Sequence, residues 1–355
     1  MTFMTMIVFK IAMLPKYLAN SSGSDAIFSV LVLLAIEVIM YIAVFFIARD
    51  INLLSLENKF FMVPIMLIIF VMSSMRGAVL YSELIDYSTT TLFDHNRSTF
   101  ILLAFTPILA YFTYKGGTVL AKLSELVFYI SIVTLVLMIC IAKVELDFDN
   151  FLPICENGGV EVLNGIDKHF IWFGDYIPLL FFSIKKNNSK FLDKYSFPLC
   201  VFGGVVFVLL FYVAFIGIYG EAGSIVNYAF NKIAIFNRLT ELLGTTNYIS
   251  VIAWLFMALM QLSLLLYSAN VTLSYFIKNR IVALIINLGV MSIIQLLVIQ
   301  NVDNAYLFAV SEIRYFIMTA QYFVPIAILL YAKLSKKILR SKNIQNQLKE
   351  STNNA

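Results

Sequence analysis

Trp172-Phe173-Gly174-Asp175-Tyr176-Ile177-Pro178 lies inside an otherwise apolar run from Phe170 to Ile184. Within this stretch a glycine loosens the backbone, a carboxylate demands a polar partner, and a proline frees a carbonyl three or four residues upstream. A second interrupted run, Thr2 to Leu18, contains Lys10-Ile11-Ala12-Met13-Leu14-Pro15, where the proline disfavours helix just before it. Hydrocarbon accepts irregular backbone only where protein or a water-filled cavity shields it. The meaning of both interruptions therefore depends on whether the chain lives in lipid.

Composition answers that question. Of 355 residues, 61% are apolar and 13% charged, whereas a soluble domain carries about 25% charge. The mean hydropathy is +0.89, and the 32 Phe and 19 Tyr suit lipid-facing walls and interfacial belts. The expected fold is an all-α polytopic membrane protein, since strand-length alternation is absent and open backbone cannot face hydrocarbon. Ten spans are expected near residues 2–18, 26–48, 60–85, 99–113, 118–142, 170–184, 195–219, 248–277, 281–299 and 305–332. Together they form one transmembrane domain over 1–334, with a basic, frayed cytoplasmic tail over 335–355. No cleavable signal peptide is expected, because the first run has no basic start and no small-residue cleavage site.

Loop charge sets the expected orientation. With a cytoplasmic N-terminus, the inner connections hold Arg49, Lys59, Lys115, Lys122, Lys185, Lys186, Lys190, Lys194, Lys278 and Arg280. The inner tail adds Lys333, Lys336, Lys337, Arg340, Lys342 and Lys349, against Arg97, Lys143, Lys168, Lys232 and Arg238 outside. The count of 16 against 5 supports both the orientation and ten spans, with both termini cytoplasmic. Two outer loops are long: an acidic one over Lys143 to Lys168, and Gly220 to Asn247, where Ile233 to Leu243 reads as a surface helix.

Two broken helices five spans apart are the mark of inverted-repeat transporters. Half-helix N-termini suit a carboxylate, while freed carbonyls and Asp175 suit an ammonium or a cation. The competing explanation is a pair of plain proline kinks held by neighbouring helices. Glu37 in span two and Arg76 and Glu83 in span three are intramembrane charges. A lone charge at the bilayer centre costs at least about 2.5 kcal/mol, so Arg76 is expected to pair with Glu37 or Glu83. These three read either as a structural ion pair or as proton-linked groups. Gly203, Gly204 and Gly217 suggest close helix packing. Gln261, Ser263, Tyr267, Ser268 and Asn270 form a polar line in span eight, facing either a cavity or neighbouring helices.

Other chemistries find no support. His95 and His169 lack metal-ligand spacing, and the sequence holds no phosphate-binding loop or nucleophile elbow. No enzyme activity, cofactor or metal is expected, and a net charge of +4 gives no reason to expect nucleic acid. Cys140, Cys155 and Cys200 read as unpaired thiols.

Several segments in order resemble one family. Lys115-Gly116-Gly117-Thr118-Val119-Leu120-Ala121-Lys122-Leu123-Ser124-Glu125 is similar to the entry into span five of the B subunits of spore germinant receptors. These are permease-like proteins of the amino acid–polyamine–organocation superfamily. Leu146-Asp147-Phe148-Asp149-Asn150-Phe151-Leu152-Pro153, followed by Glu156-Asn157-Gly158, is similar to that family's acidic segment after span five. Phe173-Gly174-Asp175 resembles its break in span six, Leu266-Tyr267-Ser268-Ala269-Asn270 its span-eight end, and Asp303-Asn304 its entry to span ten. Span one departs from the pattern: the glycine-rich break is reduced to Phe9-Lys10-Ile11-Ala12-Met13-Leu14-Pro15, and the polar segment before it is missing.

The resemblance implies a ten-helix fold of two inverted five-helix repeats, with helices 1 and 6 broken. It implies a spore germination protein that binds an amino acid or similar nutrient at the membrane midplane. It further implies A and C receptor subunits as partners, in a bacterial cell membrane or spore inner membrane. On this reading Phe9, Ala12 and Met13 offer backbone groups, Phe173 and Gly174 shape the pocket, and Asp175 faces the ammonium. Lys10 either fills the carboxylate's space or pairs with it. Two rivals stand beside this: a proton-coupled amino-acid transporter using Glu37 or Glu83, and a structural subunit that has lost its ligand site.

Overall fold

The computed structural model describes residues 1–50, 59–91, 98–142, 146–153, 159–182, 191–235, 246–296 and 302–353. Long apolar stretches free of strand-like alternation should close their backbone bonds internally, and among the described residues all regular structure is helical. The helices are α1 (Thr2–Ile11), α2 (Leu14–Ser22), α3 (Ala26–Asp50), α4 (Lys59–Thr91), α5 (Ser98–Lys115) and α6 (Gly117–Ala142). They continue with α7 (Val160–His169), α8 (Phe191–Tyr219), α9 (Ala229–Ile235), α10 (Thr246–Phe276), α11 (Arg280–Ile294), α12 (Val302–Val310) and α13 (Ile313–Asn353). Cys155, His95, Lys185, Lys186, Lys190 and residues 236–243 of the expected surface helix lie outside the described residues.

Among the described residues, six helical stretches are long and apolar enough to cross a membrane: Leu14–Arg49, Phe60–Thr91, Gly117–Met138, Tyr195–Ile225, Ile249–Phe276 and Ile313–Lys333. The chain is thus a polytopic helical membrane protein. The stretch in α10 is 72% buried and that in α4 61%, against 29% in α6, so α4 and α10 form the centre of the bundle. These two pack against each other along their length. Large apolar side chains such as Ile39, Phe202 and Phe316 stand exposed on the outer surface, as lipid-facing positions require.

Small residues let α1 lie against α8. A Cβ on Gly204 would stand 2.7 Å from Met6 Cβ, and one on Gly217 2.6 Å from Leu146 Cδ2. Gly203 makes only ordinary contact with the Phe3 ring, at 3.7 Å, and Gly217 meets the non-helical segment at Leu146, so close packing of one helix on another is seen at Gly204.

Three expectations need correction. Span ten is not one helix: α12 ends at Val310 and α13 starts at Ile313, with a turn at Ser311 and Glu312. The tail expected to fray continues α13 as helix to Asn353. The described part of the sixth expected span, residues 170–182, does not form a helix with a local break. It contains two 3-10 turns, Phe170–Trp172 and Ile177–Phe181, separated by irregular backbone. Pro178 begins the second turn, and Gly174 with Asp175 occupies the gap.

His169 closes α7, outside the apolar spans. Its Nδ1 lies 2.9 Å from the Gly165 carbonyl, and burial pushes its pKa down to about 4. The folded chain therefore binds fewer protons than the unfolded chain between that value and the ordinary 6.5, and stability falls as pH drops through this window. His169→Gln is expected to flatten the loss of melting temperature between pH 6.5 and 4, measured on the purified protein in detergent. Gly204→Val is expected to cost about 1–3 kcal/mol by overpacking, seen as a lower melting temperature at constant pH.

Candidate functional site

The two interruptions predicted from sequence come together in the centre of the bundle. In the first, Ile11 ends α1, and Pro15 at the start of α2 has no amide hydrogen to continue the ladder. Between them Ala12 departs from helical geometry, with φ −89° and ψ −89°. The Ala12 carbonyl accepts a hydrogen bond from the Ala229 amide at 3.1 Å, so the start of α9 stitches this gap.

The second interruption has three freed carbonyls, and side chains from other helices satisfy them. Arg76 of α4 donates from Nη1 to the Ile171 carbonyl at 2.6 Å and from Nη2 to that of Trp172 at 3.4 Å. Gln321 of α13 donates from Nε2 to the Phe173 carbonyl at 2.8 Å. A Cβ on Gly174 would fall 2.0 Å from Gln321 Cδ, so glycine there is what lets the amide reach the backbone. The Tyr176 hydroxyl donates to the Gln321 carbonyl at 3.2 Å, fixing the same contact from below the break.

Four charges complete the centre. Arg76 Nη2 lies 2.7 Å from Asp175 Oδ1, and its Nε donates to the same oxygen at 3.0 Å. Lys10 Nζ lies 3.1 Å from Glu37 Oε1. Lys10, Glu37 and Asp175 are 0% exposed and Arg76 7%, so each charge relies on its partner rather than on bulk solvent. The cations also rest on aromatic faces. Arg76 Cζ is 5.2 Å from the Phe9 ring centre, and Lys10 Nζ is 5.1 Å from that of Phe173. Each interruption thus offers an aromatic ring to a cation that also pairs with a carboxylate. Phe9 further meets Trp172 at 5.7 Å between ring centres.

This corrects the expected pairing. Arg76 pairs with Asp175 rather than with Glu37 or Glu83. The guanidinium fork can serve one carboxylate and two carbonyls at once, and the second interruption presents all three. Glu37 is held by Lys10. Glu83 lies seven residues along the same helix as Arg76, about 10 Å up the axis. Asp175 accordingly faces Arg76, although its Oδ2 and the neighbouring Gln261 amide remain without a hydrogen bond of normal geometry. Glu83 is 1% exposed and has neither hydrogen bond nor ion pair among the described residues. Its nearest charged company is acidic, Asp175 and Asp86.

Of the nine residues singled out from sequence, Phe9, Phe173, Gly174, Asp175, Glu37 and Arg76 share this centre. Ala12 lies at the gap with its carbonyl already used, and Met13 starts α2 within the apolar core. Glu83 stands apart. Sequence reasoning missed Gln321 and Tyr176, although a glutamine inside the apolar run 305–332 was the available signal. Beside the charges lies a small hollow of about 30 Å³, bordered by Phe9, Met72, Met75, Arg76, Val79, Ile171, Trp172, Phe308 and Ile317. Apart from Arg76 its lining is apolar.

Apolar helices with large exposed aliphatic and aromatic side chains, packed around a buried charged centre, define a polytopic helical membrane protein. The match to known sequences is more specific. A family model described as spore germination protein covers residues 1–305, and the chain belongs to that family. The family is of transporter and receptor type rather than enzymatic. A search of curated proteins found no match.

Removing one member of a buried pair strands the other charge, which costs about 3–5 kcal/mol. Lys10→Met is therefore expected to lower the melting temperature sharply, and Lys10→Met/Glu37→Gln to regain most of the loss. A double variant as unstable as the single one would show that the Lys10 stem, not its charge, carries the effect.

Proposed function

We propose that this chain is a permease-like germinant receptor subunit that binds an amino acid or similar small nutrient between the first and sixth spans. One observation supports this most: two interrupted spans meet at a buried centre of two cations and two anions. A zwitterion carries the same two kinds of charge. Its carboxylate can take over from Asp175 on Arg76 or from Glu37 on Lys10, and its ammonium can take the released carboxylate. Exchange of partners, rather than entry into an open pocket, suits a hollow as small as the one beside Arg76. Its apolar lining suits a small aliphatic side chain. Phe9, Phe173 and Gly174 border the ligand in this reading, and Ala12 and Met13 form the hinge of span one.

The wider reading has ten spans in two inverted five-helix repeats, cytoplasmic termini, and receptor A and C subunits as partners in a bacterial cell membrane or spore inner membrane. Ligand binding to one packing of the helices in preference to another shifts their equilibrium, and the partner subunits read that shift.

Saturable retention of a labelled small aliphatic amino acid by the reconstituted protein with its partners, lost in Asp175→Asn, is the expected result. Indifference to every amino acid, with and without partners, overturns the reading. Asp175→Ala with all activity intact points to a subunit that has lost its site.

One observation favours proton-coupled transport as a second reading: Glu83 is a buried carboxylate without a cationic partner. A lone charge at such depth is costly, so a proton is its natural companion. Uptake into proteoliposomes driven by a pH gradient, and abolished by Glu83→Gln, is the result that reading expects. Ligand retention without gradient-driven uptake favours the receptor.

A further inference from the structure

A second cavity, sharing no lining residue with the hollow beside Arg76, lies between the α5–α6 turn, the second half of α10 and the start of α11. It is a vestibule of about 850 Å³ whose wall includes Lys115, Gly116, Gly117, Thr118, Tyr267, Asn270 and Arg280. The segment Lys115-Gly116-Gly117-Thr118 is the sharp turn from α5 into α6. Gly116 makes that turn in the left-handed region, with φ +84°, where an L side chain is strained. Its amide closes α5 onto the Phe112 carbonyl at 3.2 Å, and α6 starts at once.

The start of α6 leaves amides without intrahelical acceptors. The Gly117 amide turns towards the Tyr267 hydroxyl. A Cβ on Gly117 would lie 2.8 Å from the Phe182 ring and 3.2 Å from Tyr267 Oη, so glycine lets this helix end sit against the wall. Arg280 opens α11 at the same chamber. There Asn279 already caps the Ile281 and Val282 amides, at 3.0 and 3.4 Å. Neither Lys115 nor Arg280 has an ion pair among the described residues; Lys115 only overhangs the Tyr111 ring at 5.5 Å. No carboxylate is among the described residues of the wall.

Asn270 is 7% exposed, borders the vestibule, and its side-chain oxygen has no hydrogen-bond partner. A helix start, two cations unpaired among the described residues, a phenol and a buried unsatisfied amide border one space whose wall also carries Phe181 and Phe182, and together they match a group with several acceptor oxygens and at least one hydroxyl donor.

We propose that this vestibule is a phosphate-binding site, holding either a soluble phosphate or the phosphate of an anionic lipid headgroup between Lys115, Arg280, the start of α6 and Asn270. It is independent of the amino-acid reading of the central site and uses none of its residues. The Lys-Gly-Gly-Thr turn, which plays no part in that reading, here acquires a chemical task.

The test uses the full chain in nanodiscs of zwitterionic lipid. Labelled inorganic phosphate is titrated first; in a second arm, phosphatidylglycerol is added to the lipid and the lipid retained by the protein is measured by mass spectrometry. Saturable phosphate retention, weakened about tenfold or more in Lys115→Gln/Arg280→Gln as expected for lost charge-assisted hydrogen bonds, supports a soluble anion. Indifference to phosphate with preferential phosphatidylglycerol retention, lost in the same variant, supports the headgroup. Asn270→Leu is expected to weaken whichever ligand binds. Lys122→Gln, an exposed cation on the same helix that does not border the vestibule, is expected to change nothing. Equal retention of both ligands by wild type and double variant, or an equal loss in Lys122→Gln, overturns the proposal. An unchanged melting temperature in each variant confirms that the fold is intact.

Discussion

The guanidinium of Arg76 holds the centre of this protein together. It binds a carboxylate and two backbone carbonyls that no helix satisfies. In water those carbonyls would find solvent; in a bilayer each unsatisfied group costs several kcal/mol. The irregular backbone over residues 170–182 is tolerable because α4 delivers this cation to it and α13 delivers the Gln321 amide. The packing of α4 at the bundle centre and the glycine at position 174 follow from the same requirement. The donors of Arg76, Lys10 and Gln321 already have internal partners, so any group that displaces them must compete with those partners.

Lys10 extends this logic to the first span. A lysine in a lipid-embedded helix is costly, yet here it meets Glu37 and the Phe173 ring and is fully buried. Two oppositely charged pairs side by side make the centre electrically neutral. Neutrality keeps the interior stable and also sets a rule for any guest: one that brings equal and opposite charges disturbs the balance least.

Much of the architecture was legible in the sequence because lipid imposes few solutions. Apolar run length gave helical structure, and Gly174 with Pro178, and Pro15 after Ala12, marked both interruptions. The residues that meet at the centre were mostly legible too, since charges inside apolar runs are conspicuous. Their pairing was not. Whether Arg76 takes Glu37, Glu83 or Asp175 depends on which acceptors the backbone of span six releases, a three-dimensional matter that residue spacing does not encode. Gln321 escaped notice for a similar reason: a single neutral amide in an apolar helix carries no spacing signal, and its role emerges only when its target, the Phe173 carbonyl, is placed beside it. The turn at Ser311 and Glu312 was likewise hidden, because neither glycine nor proline marks it.

The length of α13 gives Gln321 a mechanical meaning. The helix continues from that contact for 32 further residues, to Asn353, a reach of about 48 Å at 1.5 Å per residue. Gln321 grips the irregular sixth span near one end of this rod. A rotation of about five degrees around that grip sweeps the far tip sideways by about 4 Å if the rod stays straight. A small rearrangement at Gln321 is in this sense magnified at Asn353.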